Sequence, residues 1–538
     1  MTNKTHHRTT ANAQQYYRII HDGDDYLVVD KACGINTHAA FDGDIALYEL
    51  LCEEQGVKLG LHQRLDKETS GILLFSKNKA AAQILAKAFE SRDCVRRYVA
   101  IVCGIPPQKQ GTLQNKLVHK NNVSFEATDG KLAKSRYKLL QSAGPFSWLE
   151  LELVTGFTHQ LRVQCALAGF PILGDALYGG GELSSRLYLH SESLRFSAKG
   201  RELIFEAPAE RIWGKLDIVQ IFNDILQNIQ TNIRQKAYTP EEALRLFTPQ
   251  QSGIAEIVLE RVGSHLLFRH IEQAGESLWC KDSLELFMNM SKDVLNCVDY
   301  TYIVHPHPKS RGKNTRFSSF ERISPEPFYA TEHGCRFYFD FSQGPATGLY
   351  LDQRENRLWV KENARGRILN LFAYTCAFSV MAASAGRDCV CTSVDVSKRA
   401  LEMGRMNFQA NDISPNQHYF YDDDVLKYLR RAVNAGQNFD GIICDPPSFG
   451  RAQKSTFRLE NELEGLMQSC LSLLARGGFL LFSVNKREVR LKRLSNSARR
   501  SAKNLGITLD FVLCEVSEPA LGPLGVGTEL KTLIVRRT

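Results

Sequence analysis

The chain has 538 residues, 43% of them hydrophobic and 23% charged; at about 150 residues per domain this excludes a single small module and predicts several domains. Gly (38) and Pro (17) are too few for a fibrous or disordered protein, and no apolar run is long enough to span a bilayer. The net charge of +8 is a moderate excess that favours a polyanion as partner, and the 14 Cys lie without a regular framework or zinc spacing, as expected of reduced thiols with no metal.

In chain order, residues 1–16 are polar, carry His6, His7 and Arg8, and read as a flexible leader. They lack the apolar core of a signal peptide, so a cytoplasmic protein is expected. Over residues 17–212 short apolar runs (YLVVD, GILLFS, RYVAIV, WLELELV) alternate with turns and a few helical stretches, which predicts an α+β domain built on a mixed sheet. Residues 213–249 place apolar side chains at helical spacing and read as a helical linker. Residues 250–345 are strand-rich, an accessory subdomain expected to contact RNA. From 346 to 538 strands alternate with long helical segments, the pattern of a Rossmann-like α/β domain with a parallel sheet.

Leu61-His62-Gln63-Arg64-Leu65-Asp66-Lys67-Glu68-Thr69-Ser70-Gly71 is a polar loop leading into an apolar strand. An acid there, flanked by an arginine and by turn formers, is either a held catalytic carboxylate or a surface ion pair. The segment RLDKETSGILL resembles the RLDxxTSGLLL motif of RluA-type pseudouridine synthases, and three more resemblances follow in that family's order. They are Arg97-Tyr98-Val99-Ala100-Ile101-Val102-Cys103-Gly104, Thr155-Gly156-Phe157-Thr158-His159-Gln160-Leu161-Arg162-Val163 and Pro171-Ile172-Leu173-Gly174-Asp175-Ala176-Leu177-Tyr178-Gly179.

The resemblance implies isomerisation of uridine in RNA. The N1–C1′ bond breaks, the base turns and rejoins through C5, with no redox change and no cofactor. It implies that Asp66 is the catalytic carboxylate, acting as nucleophile or base. Arg162 would pair with it, Tyr98 would stack on the target base, and Arg64 would fill the space left by the flipped nucleotide. Gln63 and Phe157 depart from the family pattern, where His and Arg are usual, so RNA-backbone contacts are expected to differ. His159 and His190 are read as hydrogen-bonded structural histidines.

In the last third, Ile368-Leu369-Asn370-Leu371-Phe372-Ala373-Tyr374-Thr375-Cys376 reads as a strand and turn before a helix, and Ser393-Val394-Asp395 ends a second strand in an acid. An acid at that spacing is where a nucleotide ribose receives hydrogen bonds, while the missing GxGxxG argues against a dinucleotide. Phe439-Asp440-Gly441-Ile442-Ile443-Cys444-Asp445-Pro446-Pro447-Ser448-Phe449 is an apolar strand running into two prolines, which fix a rigid loop at the strand's C-terminal end.

With Thr347-Gly348-Leu349-Tyr350-Leu351-Asp352-Gln353-Arg354 and Leu481-Phe482-Ser483-Val484-Asn485-Lys486-Arg487, these segments resemble class I S-adenosylmethionine-dependent methyltransferases of the RlmK/RlmI 23S rRNA type. The resemblance implies S-adenosylmethionine as cofactor, with Asp395 on the ribose, Asp424 at the adenine end, and Asn370 and Phe372 on the methionine side. Asp352, Arg354, Tyr374 and Asp445 complete the expected cofactor set, and Asp445, Pro446, Pro447 and Phe449 would face the substrate base. Cys376 stands where the family has Gly.

C5 of cytosine needs attack by a thiolate, whereas N7 of guanine has an exposed lone pair and needs only positioning. Phe482-Ser483-Val484-Asn485-Lys486-Arg487 lacks the SCS-type cysteine of the C5 enzymes and resembles the SNNKR of the guanine-N7 branch, and Cys444 sits in an apolar strand and reads as core; the resemblance therefore implies guanine N7 as the target. Residues 486–503 hold eight Lys or Arg against the single Glu488; Lys486, Arg487, Arg490, Lys492 and Arg493 are expected to contact phosphates, with Lys309-Ser310-Arg311-Gly312-Lys313 as a weaker candidate. The expectation is a bifunctional enzyme acting on ribosomal RNA, transfer RNA being open for the isomerase, with no membrane and no metal partner. Two alternatives stay open: an RNA-binding assembly factor with an inert site, and a methyltransferase of cytosine C5, DNA or protein.

Overall fold

The computed structural model describes residues 15–39, 46–90, 94–181, 184–209, 217–249, 254, 256–271, 277–305, 326–343, 348–386, 388–447, 449–452, 455–485, 489–516 and 530–538. Two compact units interleave along the chain. The first comprises Met1–Asn232, Gln250–Ala255 and Glu276–Val294; the second comprises Ile233–Pro249, Glu256–Gly275 and Leu295–Thr538.

The first unit is built on a mixed sheet. Along its main path the strands run Tyr17–Asp22, Tyr26–Lys31, Ser70–Ser76, Leu189–Ala198, Val95–Cys103, Phe146–Leu153, Lys131–Ala143, Gln110–Lys120 and Val123–Glu126. Neighbours are antiparallel except Leu189–Ala198 on Ser70–Ser76, which are parallel. The apolar run in Ser70–Ser76 is buried at every position, as a central strand covered on both faces must be. Gly71 is required there. A Cβ on it would lie 2.3 Å from the Ser191 carbonyl oxygen, and its φ of +112° is open to glycine. The turn formers of the Asp66 loop thus end at a residue that lets two strands approach.

The stretch read as helical throughout holds a helix only over Ile218–Gln235; Ala243–Phe247, in the second unit, is a strand. All five of its residues are buried, and so short a run buried on both faces has no period from which helix and strand can be told apart. It edges a four-stranded sheet continued by Ile257–Val262, His265–Ile271 and Asp299–His305. Buried in this sheet, Glu260 bridges Arg245 at 2.7 Å and Arg269 at 2.7 Å. Burial works to raise the Glu260 carboxyl, but the two guanidinium groups hold it down at about 2.

A seven-stranded sheet carries the rest of the second unit, in the order Tyr419–Asp422, Val390–Asp395, Arg367–Leu371, Phe439–Cys444, Leu474–Val484, Lys531–Arg537, Leu509–Val516. The first five strands are parallel and Lys531–Arg537 is antiparallel to both its neighbours. The chain starts in the middle, at Arg367–Leu371, and winds outward in both directions. The strand order therefore reverses beside Phe439–Cys444, and the crevice at the C-terminal ends of these strands is where such sheets bind ligands.

Candidate active sites

In the first unit the Asp66 loop is pinned from both sides. Thr37 Oγ1 donates to the Leu65 carbonyl at 2.6 Å and accepts from the Leu65 amide at 3.1 Å. The ammonium of Lys31, wholly buried at the end of its strand, donates to the carbonyls of Ala32, Ile35 and Lys67 at 2.8, 2.9 and 3.0 Å. Burial lowers this ammonium to about 8. Neither residue was singled out in the sequence, although a lone lysine closing an apolar strand is the signal that marks Lys31.

Asp66 and Arg162, 96 positions apart, meet at 3.3 Å between Oδ2 and Nη1. Arg162 rises from the helix Gln160–Leu167 and is held by a second acid, with Nε and Nη2 each 2.8 Å from the two carboxylate oxygens of Asp175. The Asp175 side chain is fully buried. Burial works against the Arg162 charge, yet the hydrogen bonds to Asp175 hold the guanidinium above its usual range. A planar fork locked on one carboxylate can present its remaining Nη1 to another without rotamer freedom.

Tyr98 is buried in Val95–Cys103, and burial, before any neighbouring charge, raises its phenol; Asp66 is among the charges that act on it. Arg64 is exposed beside the loop. Phe157, in place of the usual arginine, packs against the cluster of Leu117, Ala133 and Val163 with Tyr178. His190 is a structural histidine, its Nδ1 2.9 Å from Ser70 Oγ and its Nε2 2.6 Å from the Ala207 carbonyl. His159 is hydrogen-bonded as well, its Nδ1 3.0 Å from the Tyr178 hydroxyl, and its Nε2 lies 3.8 Å from Asp66 Oδ2.

In the second unit a cavity of about 400 Å³ opens at the sheet's reversal point. Phe372, Tyr374, Asp395, Asp424, Asp445, Pro446, Pro447 and Asp352 all line it. Asp395 accepts the amides of Tyr374 and Ser397, each at 2.8 Å, and Asp424 caps the helix Val425–Asn434 by accepting the Lys427 amide at 3.0 Å. Ser483 Oγ donates to Asp445 Oδ1 at 2.8 Å and itself accepts from Gln353 Nε2 at 3.0 Å. Burial raises the carboxyls of Asp352 and Asp395 and pushes Asp445 up to about 7.

Two expected cofactor residues are not part of this cavity. Arg354 turns to the Ala243 carbonyl at 3.1 Å and Glu242 at 3.0 Å, and stacks on Tyr238. Asn370 is buried, does not line the cavity, and donates to Ser379 Oγ at 2.9 Å. The family resemblance alone marked both, and tertiary pairing takes them elsewhere. The cavity adds Tyr350, Gln353, Arg357, Thr375 and Asn485, which the sequence did not single out. Cys376 is buried and does not line the cavity, and Cys444 is buried with its thiol pushed well above the usual range by that burial. Lys486, Arg487 and Lys309 to Lys313 lie outside the described residues, as does the side chain of Phe449. Arg490, Lys492, Arg493, Asn496 and Arg500 line a cleft at the start of the helix Leu491–Leu505.

The RNA pseudouridylate synthase family profile matches residues 25–167, and the S-adenosylmethionine-dependent methyltransferase profile matches residues 308–536. An RNA pseudouridine synthase of Chlorobaculum parvum, itself uncharacterised, is 35% identical over 228 residues, covering 35% of this chain and 70% of the relative. The ribosomal RNA large subunit methyltransferase K of Neisseria meningitidis serogroup B is 35% identical over 288 residues, covering 52% of this chain and 78% of the relative. The chain belongs to both families.

It carries a pseudouridine synthase domain and an S-adenosylmethionine-dependent methyltransferase domain, and is an enzyme through both. The ribosomal RNA large subunit methyltransferase K/L of Hahella chejuensis is 40% identical over 188 residues, and there the chain spans only 26% of the relative. A proposed methyltransferase solved in complex with SAH shares the fold at TM-score 0.50 and 20% identity, over 64% of this chain and 88% of that one. The methyltransferase cavity fits S-adenosylmethionine on its own terms. Asp352 Oδ1 is buried there with no hydrogen-bond partner among the described residues, an acceptor suited to an ammonium, while Phe372, Ala377, Val396 and Leu426 offer apolar wall. Among the described residues no helix is long and apolar enough to cross a membrane, and no group of His, Cys, Asp or Glu is placed to hold a metal ion.

Proposed function

We propose that the chain is a bifunctional modifier of large-subunit ribosomal RNA, isomerising a uridine in one domain and methylating a guanine at N7 in the other. The observation that carries it is the Asp66–Arg162 pair at 3.3 Å, a partly exposed carboxylate held by a guanidinium. In this reading Asp66 acts on the ribose, as nucleophile at C1′ or as base, Tyr98 stacks on the base, and the exposed Arg64 fills the gap in the RNA stack. Atoms balance within the nucleotide: N1–C1′ is exchanged for C5–C1′, and the proton leaving C5 is matched by one gained at N1.

S-adenosylmethionine would supply the methyl group to the second domain. Asp395 would accept the ribose hydroxyls, Asp424 would lie at the adenine end, and Asp352, Phe372 and Tyr374 would receive the methionine side. Asp445 with Pro446, Pro447 and Phe449 would orient the base. No cysteine lines the cavity among the described residues, and the buried thiol of Cys444 is no thiolate; both favour an atom that reacts without covalent activation, as guanine N7 does. The names of the relatives from Neisseria and Hahella support ribosomal RNA as the substrate. Phosphates would be met by Arg490, Lys492 and Arg493, and Lys486 and Arg487 belong to the same proposed run.

The test is modification mapping of ribosomal RNA from cells with and without the chain, paired with purified protein. Tritium release from C5-labelled uridine should vanish in Asp66→Ala while methyl transfer to RNA persists. Methyl label appearing on cytosine C5, on DNA or on protein instead of guanine N7 would refute the second assignment, and no tritium release from any RNA would refute the first.

A further inference from the structure

The His159 ring is fixed by hydrogen bonds through Tyr178, and its other nitrogen faces Asp66. The Ser124 amide donates to the Tyr178 hydroxyl oxygen at 2.8 Å, and that hydroxyl lies 3.0 Å from His159 Nδ1. With one side of the Tyr178 oxygen taken by the amide, its proton is directed to Nδ1, which leaves the ring's own proton on Nε2. Nε2 faces Asp66 Oδ2 at 3.8 Å. Arg162 Nη1 reaches the same oxygen at 3.3 Å, and Oδ1 has no hydrogen bond or ion pair among the described residues. Burial lowers the His159 imidazole more than Asp66 raises it, so the ring is neutral near pH 7 and acts as a donor without adding charge.

The backbone gives a second, independent sign. His159 enters the helix Gln160–Leu167 at φ +57°, a conformation that costs a side-chain-bearing residue about 1 kcal/mol and that glycine would adopt freely. The fold keeps a histidine there. Strain of this kind persists where the side chain is needed at one place.

We propose that His159 is a positioning residue for the isomerisation: its Nε2–H and the Arg162 guanidinium together hold Asp66 Oδ2, so that Oδ1 is the oxygen presented to the uridine. The contact shortens to a hydrogen bond when the nucleotide closes the site, as such contacts do. Arg162, Asp175, His119 and Tyr178 are the other ionisable groups around the ring; His119 meets it edge-on at 6.0 Å between ring centroids, and Tyr178 takes Nδ1. The proposal rests on Asp66 being the catalytic carboxylate.

The experiment compares His159→Ala, His159→Leu and His159→Gln in the full chain, with tritium release for kcat and KM and methyl transfer as a check on the same preparation. Removal of a donor to a carboxylate predicts kcat lower by about 10- to 100-fold in the Ala and Leu variants at unchanged KM. Gln, whose amide N–H can take the place of Nε2–H, should recover most of it, and its kcat should follow pH as the parent's does. Ala within about 2-fold of the parent, Leu as active as Gln, or an acidic limb of the pH profile that disappears in Gln would each overturn the proposal, the last by making His159 a proton carrier. Should the Ala variant fail to fold, the Leu and Gln pair decides. Asp66→Asn is measured alongside; full activity there removes the foundation rather than the role of His159.

Discussion

Gly404 makes room for Cys376: a Cβ on Gly404 would lie 2.5 Å from Cys376 Sγ and 2.9 Å from its Cβ. Cys376 stands at φ +58° in the turn after Arg367–Leu371, a position that glycine would fill without strain. The side chain is accommodated by packing toward the helix Lys398–Gln409 and away from the cavity. The departure from the family's glycine therefore leaves the approach to the cofactor cavity open.

Gly404→Ala should lower the stability of the second unit by about 1–3 kcal/mol through overpacking against Cys376. In a Cys376→Gly background the same substitution should cost almost nothing, because the two sites couple directly. Thermal unfolding of the four proteins measures this, and equal costs in both backgrounds would contradict it.

Asp175→Asn should damage the isomerase more than its distance from the substrate suggests. It removes one partner of a buried ion pair, for which about 3 kcal/mol is expected, and it frees Arg162 to turn fully onto Asp66. Denaturant unfolding should register the first effect and tritium release the second, with methyl transfer unchanged. A variant as stable and as active as the parent would show that the fork on Asp175 is dispensable.

Asp445 sets a pH dependence with a defined sign. Its carboxyl is raised to about 7, above its ordinary range, so the folded protein holds this proton over a window in which the unfolded chain has released it. Its contribution therefore favours folding at low pH, weakens as pH rises from the ordinary carboxyl range to about 7, and is level beyond. Asp445→Asn should flatten that part of the unfolding midpoint against pH while lowering methyl transfer. An unchanged slope would place the ionisation elsewhere.

Arg490→Ala and Arg493→Ala should weaken RNA binding and reduce the dependence of log affinity on log salt by about 0.7–0.9 for each phosphate left without its guanidinium. Affinities measured across a salt series decide between this and a solvated helix face, for which the slope would not move.

Much of both sites was legible in the sequence because the residue types are constrained by chemistry over short spans. The Asp66 loop, the Asp-Pro-Pro turn and the acid closing Val390–Asp395 each keep their neighbours within one strand–loop–element segment, so local pattern places them. What the sequence could not decide was which side chains turn inward to meet partners far along the chain. Arg162 is held by Asp175, Arg354 pairs with Glu242 away from the cavity, and His159, hydrogen-bonded to the Tyr178 hydroxyl, comes within 3.8 Å of Asp66. Those are contests between buried polar groups for hydrogen-bond partners, and they are settled only when packing has fixed which donors and acceptors are out of reach of water.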